Sequence, residues 1–486
     1  MKIALIHCPI MHKVFSENLK VVDEEFCLAP PISLAYVAAI LEKSEHEVIL
    51  IDAHALRLTK ESTLSRLFKF KPEVLGFRMD TYQFHETLEW IKYFKANMDI
   101  LVIAGGKNLL LYPKETLAHR EIDYGVIGEA VNVLPRLLSA LKGNDDIDNI
   151  EGIVYRNDEG VRINPVSIKS LDFNSYPFPS RHLLPNDKYY SFISQKKNFT
   201  VMVTTKGCPF KCSFCAIKSL PYLERTPQNV VDEIEECCNK FMVKEIDFFD
   251  AVFTFNRKRT LEICRKIKER SLNFEWSCRT RVDLVDKELL VAMASSGCRQ
   301  IYYGIESGNE GVLKSINKKI SFEQVKYIVS ETKKLGIRTL GFFMIGNPKE
   351  TRANLKETID FMTGLDLDFV QICKTIAKPG TDLDGLLIEK TGKDFWREFV
   401  AANSSEINCS FPAPWLEFSQ KEQEDYVKLA YLNFYFRPSH IVKIALKIRS
   451  LSELMRYIRV SLRMLLDILL GKIIKLDNKK QEICKC

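Results

Sequence analysis

The sequence contains no run of eighteen or more uncharged apolar residues, which argues against a membrane-spanning helix. Histidine is scarce, with eight residues in 486 and none between His182 and His440, so a zinc centre in the middle of the chain would lack the histidine it commonly uses. No secretory signal precedes the fourteen cysteines, and they are scattered, which argues against a disulfide framework and for a reducing cytoplasm. Charge of one sign is also missing over most of the chain. The formal charge is +7, and residues 437–475 alone carry nine Lys/Arg against Glu453 and Asp467, so the remainder is neutral overall. With 46% apolar and 27% charged residues the composition is that of a globular protein, and 486 residues exceed one ordinary core, so two or three domains are expected.

What is present is most specific at Lys206-Gly-Cys-Pro-Phe-Lys-Cys-Ser-Phe-Cys215, which places Cys208, Cys212 and Cys215 on one loop directly after an apolar run. Thiolates are soft ligands for zinc or iron–sulfur clusters, and three of them leave a coordination position open for chemistry. Ahead of this loop, apolar runs at 2–6, 48–52, 74–77 and 100–104 are separated by helix-length segments, which predicts a doubly wound parallel sheet. Such sheets bind ligands beyond the carboxyl ends of their strands, where Gly105, Gly106 and Gly128 fall; ordinary tight turns are the alternative reading. Residues 150–163 read as a hairpin at a domain edge, and 171–185, with three prolines, as a semi-rigid linker. A second alternation follows, with strands at 200–204, 245–249, 275–278, 300–304, 339–345 and 369–373, and six strand–helix units predict a partial barrel with its functional loops at the carboxyl ends. The expected division is therefore α/β: 1–145 doubly wound, 146–190 hairpin and linker, 191–400 partial barrel, 401–486 helical.

The cysteine spacing, with Phe214 before the last cysteine and Gly207 before the first, closely resembles the cluster loop of radical S-adenosylmethionine (SAM) enzymes. The resemblance implies a [4Fe-4S] cluster on Cys208, Cys212 and Cys215, whose open iron binds SAM, and a (β/α)6 partial barrel. It extends from Lys2 to about Leu383, and the order of pieces in residues 1–145 is similar to the cobalamin-binding domain of one large branch of that family. Cobalamin would be held by backbone turns around Gly105, Gly106 and Gly128. Lys107-Asn108 and Ala130-Val131 depart from the motifs that many relatives carry there, and no Asp-x-His-x-x-Gly signature is present, so His54 is not expected on cobalt.

By the same resemblance, Asp250 would meet the SAM amino group and Arg281, rather than Arg279, its carboxylate. Glu306 and Ser307 would hydrogen-bond the ribose, and the segment around Gly346 would meet adenine. From the residues alone, Glu306 also reads as a helix cap. The other cysteines read as buried small hydrophobes, apart from Cys484 and Cys486 in a polar tail.

The implied enzyme cleaves SAM with an electron from a reductive donor and functionalises an unactivated carbon of a small-molecule or lipid substrate, by methyl transfer or by ring rearrangement. Helices at the carboxyl terminus look similar to those of relatives acting on hopanoid lipids or tetrapyrroles. RNA modification is an alternative class, but a basic apolar tail without aromatic stacking platforms suits a peripheral membrane contact better than nucleic acid. A non-catalytic module stabilised by zinc is the third.

Overall fold

The computed structural model describes residues 1–10, 19–143, 146–166, 172–194, 196–403, 411–448 and 451–483. Cys409, one of the other cysteines read as buried, and the tail residues Cys484 and Cys486 lie outside them.

Seven strands form the first sheet: β1 (Lys2–His7), β2 (Glu47–Asp52), β3 (Val74–Arg78), β4 (Leu101–Gly105), β5 (Tyr124–Val126), β6 (Ile153–Asn157) and β7 (Gly160–Ile163). Their order is β2-β1-β3-β4-β5-β6-β7, parallel through β5 and antiparallel beyond. The near-continuous apolar runs follow from burial on both faces. Ala4, Ile6, Leu75 and Phe77 pack on one side, and Ile3, Leu5, Val74 and Ile103 on the other. The strand order reverses beside β1, which places the ligand crevice at the carboxyl ends of β1, β3 and β4. The hairpin expected at a domain edge is β6–β7, and it extends this sheet.

The second sheet is a six-stranded parallel array in sequential order, a partial barrel: β8 (Phe199–Met202), β9 (Glu245–Phe248), β10 (Glu275–Thr280), β11 (Cys298–Glu306), β12 (Arg338–Ile345) and β13 (Phe369–Lys374). Ile246, Phe248, Trp276, Cys278, Tyr303 and Ile305 face the helices, whereas the alternate residues Asp247, Arg279 and Tyr302 face the lumen. The exposed edge of β13 is satisfied by a helix rather than a strand. On Gln420–Tyr435, the Tyr431 hydroxyl accepts from Ile372 N at 3.0 Å, and that of Tyr435 accepts from Val370 N at 3.0 Å and donates to Val370 O at 2.8 Å.

The stretch read as a linker is instead a buried strap between the two sheets. Phe173, Tyr176, Ser180, Arg181 and Leu184 are all buried, and Arg181 bonds Glu233 on the barrel helix Pro227–Lys240. The helix Phe395–Ala401 returns to the first domain and puts Trp396, Phe399 and Val400 into its core, where His85 and His119 bond the carbonyls of Phe399 and Val400.

Candidate active site

The cysteine loop leaves the carboxyl end of β8 and is closed at its base by Thr205 and Lys206 pairing antiparallel with Glu224 and Leu223. Gly207 sits at φ 71°, and a Cβ there would lie 2.3 Å from Pro221 O, so only glycine fits this entry. Within the loop Cys215 N donates to Cys212 O at 3.1 Å. Ser213 is tied by backbone to Ile316 O and to Asp382 N, and Asn317 donates to Lys211 O at 2.7 Å. Phe214 packs with Ala377, Leu383 and Leu387.

Three thiols are thus presented on one backbone-pinned loop, the donor set an iron–sulfur cluster needs. Burial raises the Cys208 and Cys212 thiols, while the cations Arg281 and Lys318 act on both in the opposite sense. Among the described residues no group of three or more His, Cys, Asp or Glu converges as a single metal ion would require.

Around the loop the structure distributes the sequence candidates unevenly. Asp250 is fully buried and accepts from Thr204 N at 2.6 Å and Thr205 N at 2.9 Å, and its other oxygen takes the Thr204 hydroxyl. Its carboxylate therefore holds the backbone that launches the cysteine loop. Arg281 lies 3.9 Å over the Phe210 ring and forks onto Asp283 at 2.8 Å through Nε and Nη2, with Nη2 also donating to Lys319 O. Arg279 forks onto Asp247 in the lumen, stacked between Phe249 and Tyr302 at 4.3 and 4.7 Å.

Glu306 ends β11 at φ 72°, buried, with Lys318 Nζ 3.1 Å from its carboxylate. The helix that follows is capped by Asn309, not by Glu306. Lys318 was not singled out in the sequence. Its signal is weak, a lysine in a polar turn, and only the fold brings it to both Glu306 and the thiols. Ser307 bonds Thr358 at 2.9 Å and receives Asn309 N, which orients the turn. Gly346 has φ 96°, and a Cβ there would meet Gln423 Nε2 at 2.0 Å. Gln423 bonds Ile345 O at 2.7 Å and Trp415 bonds Gly346 O at 2.9 Å, so this segment is backed by the carboxyl-terminal region.

In the first domain Gly105, Gly106 and Gly128 border an apolar slot of about 180 Å³ between the sheet and the helices Ile32–Lys43 and Ala130–Leu141, with Ser33 and Arg78 among its polar lining. Gly106 is required at φ 114°, where a Cβ would sit 2.8 Å from Met79 O. His54 Nδ1 accepts from Ile10 N at 3.2 Å. The turns bordering this slot contact residues on either side of the three cysteines. Lys107 Nζ donates to Ala216 O at 3.0 Å, and Lys206 pairs with Glu129 at 2.7 Å while lying over Phe173 and Tyr176.

Residues 202–362 match the model of the radical SAM superfamily, and residues 26–138 that of the B12 binding domain. The chain is 31% identical to an uncharacterised methyltransferase of Pyrococcus horikoshii over 85% of this chain and 89% of that one. It is 28% identical to the anaerobic magnesium-protoporphyrin IX monomethyl ester cyclase of Rubrivivax gelatinosus, over 73% and 65%. Among solved structures, the cobalamin-dependent SAM radical enzyme OxsB, with aqua-cobalamin and SAM bound, superposes with a TM-score of 0.64 at 18% identity, covering 97% of this chain and 72% of that one. The chain belongs to the radical SAM superfamily, in the branch carrying an amino-terminal B12 binding domain. It is an enzyme, with the fold expected from the sequence.

Proposed function

We propose that this enzyme transfers a methyl group to an unactivated carbon of a small hydrophobic molecule, using SAM, a [4Fe-4S] cluster and cobalamin together. The observation that carries the reading is the contact between the two sites, because Lys107 and Glu129, on the turns bordering the cobalamin slot, bind Ala216 and Lys206 of the cysteine segment. When bound, the cluster with SAM supplies the radical that activates carbon and cobalamin supplies the methyl group.

The chain's residues hold and separate these groups. Cys208, Cys212 and Cys215 would ligate the cluster. Glu306 with Lys318 would bind the polar end of SAM and its ribose, Arg281 would offer its remaining amino group to the carboxylate, and the Gly346 segment would lie against adenine. Asp250 and Ser307 act through the backbone they orient. Gly105, Gly106 and Gly128 would hold cobalamin by their backbone turns at the mouth of the apolar slot. In the lumen, Arg279 between Phe249 and Tyr302, with Phe342 stacked 6.1 Å from Tyr302, suits a flat or ring-built substrate bearing an acceptor group. A tetrapyrrole-like or cyclic lipid substrate fits that lining, and the resemblance to a tetrapyrrole cyclase supports ring closure as a second outcome of the same radical. Peripheral membrane contact through the carboxyl-terminal helices is part of the same reading.

The test is anaerobic reconstitution with iron and sulfide, followed by hydroxocobalamin and gel filtration. Expected are cysteine-ligated iron–sulfur absorbance near roughly 400 nm, retained cobalamin, and 5′-deoxyadenosine on reduction with SAM. Replacement of Cys212 by Ala should remove cluster and 5′-deoxyadenosine together. Protein that returns with zinc, or sheds all cobalamin, would overturn the corresponding half of the proposal.

A further inference from the structure

A second cavity, of about 380 Å³, lies at the end of the barrel away from the cysteine loop. Its floor includes Phe369 and Val370, the first residues of β13, and Ile193, which precedes β8. The reaction loops leave the opposite, carboxyl ends of these strands, so this space is separate from the site above. The helices Pro438–Ala445 and Leu451–Ile483 cover it with Ile441, Ile444, Tyr457, Ile458 and Leu465. The volume is that of a small-ligand site, and the lining is almost wholly apolar.

A few polar side chains interrupt that lining, among them Glu25, Ser461 and His440. His440 borders the cavity at 4% exposure, and neither ring nitrogen has a hydrogen-bond partner among the described residues. A buried imidazole left without partners is destabilising, and a ligand group that supplies one removes the deficit. Phe434 and Tyr435 hold the ring in place, with centroids 4.6 and 5.5 Å away. Burial, followed by Lys443 and Arg437, pushes its pKa down to about 4, so the ring is neutral and keeps one N–H donor.

The charges facing it are Arg437, Lys443 and Lys447 against Asp368. Even counting Asp366, which Lys443 also binds, cations are in excess. Glu25, also in the lining, is neutralised by Arg459 and Arg463.

We propose that this cavity binds a single-chain fatty acid, its hydrocarbon chain between the barrel floor and the two helices and its carboxylate accepting the ring N–H of His440. The apolar lining fits the chain, and the excess of cations around the unpartnered ring complements the acid. The site is distinct from that of the radical reaction and does not rest on the function proposed above.

Full-length protein, without vesicles, is titrated with the fluorescent fatty acid cis-parinarate and then with competing oleate. Saturable binding of one probe per chain, displaced by oleate, is expected. Ile444→Trp, which fills the cavity, should abolish it. His440→Phe should weaken oleate about tenfold, the loss of one buried hydrogen bond. Cluster content and SAM cleavage check that both variants fold, since neither residue touches the reaction site. Absence of saturable binding, or undiminished binding in folded Ile444→Trp, would overturn the site. Equal displacement by oleyl alcohol and oleate would overturn the carboxylate assignment.

Discussion

Glu306 occupies a left-handed backbone conformation that a non-glycine residue rarely adopts, at φ 72°, and the strain is sustained by what its side chain reaches. The carboxylate folds back over Gly304, where a Cβ would stand 2.7 Å from Glu306 Oε1 and 2.9 Å from Lys318 Nζ. Gly304, Glu306 and Lys318 therefore act as one unit, and two substitutions should give one phenotype. Lys318→Met, which leaves the carboxylate buried and unpaired, and Gly304→Ala, which displaces the pair, should each weaken SAM binding about tenfold while the cluster absorbance stays. Equilibrium dialysis with labelled SAM measures this, and wild-type affinity in both variants would show the pair to be structural only. Of the residues involved, Glu306 was singled out through the family resemblance of its strand-end segment, whereas the residues alone suggested a helix cap. Lys318 was not singled out, since twelve positions of intervening helix and turn bring it there. The role of Asp250 was equally hidden, because the backbone amides it binds lie 46 and 45 positions away.

The strap between the sheets depends on a buried triad. Glu233, fully buried on Pro227–Lys240, pairs with Arg181 of the strap at 2.7 Å and with Arg225, and Arg225 reaches Tyr36 of the first domain at 3.3 Å. Removing the shared anion leaves two buried guanidiniums, so Glu233→Gln should cost about 3–5 kcal/mol and lower the thermal midpoint of both domains together. Burial alone would raise this carboxyl, yet the two arginines outweigh it and hold it below the usual glutamate value of 4.5. A depressed carboxylate stabilises above its unfolded pKa and is lost as pH falls through the folded one. The wild type should accordingly lose stability on acidification below about pH 4.5 more steeply than Glu233→Gln, as followed by denaturant midpoints across pH; equal slopes would rule this out. This element also marks where sequence reading stopped. Apart from the short β5, Tyr124–Val126, which no apolar run announced, strands announced themselves within a residue or two, because both sheets are buried on two faces. The strap carries prolines and no period, and its burial is decided by a glutamate on a helix some fifty residues on.

The carboxyl-terminal helices bear on how the whole molecule meets its surroundings. Among the described residues no helix is long and apolar enough to cross a membrane. Ile441, Leu446, Leu451, Met455, Ile458 and Leu462 are nonetheless exposed, Leu446 at 82% and Leu451 at 75%. A basic apolar tail suited to a peripheral membrane contact would turn its cations toward lipid headgroups. In the fold many of them are engaged with protein: Lys443 and Lys447 with Asp366 and Asp368, Arg459 and Arg463 with Glu25, and Arg456 with Ser194 O. The apolar face is left as the main attraction for the proposed membrane contact. Binding driven by apolar burial is insensitive to ionic strength, whereas each free basic residue would add about 1 kcal/mol that salt removes. Co-sedimentation with neutral and anionic vesicles should therefore differ little, and raising salt from low to physiological should change binding by less than about threefold, far below what a cluster of free basic residues would give. Leu446→Glu with Leu451→Glu should abolish sedimentation in both lipids, and a truncation ending at Tyr435 should do the same. Strong binding confined to anionic vesicles and lost in salt would instead show that the ion pairs to Glu25, Asp366 and Asp368 open at the bilayer.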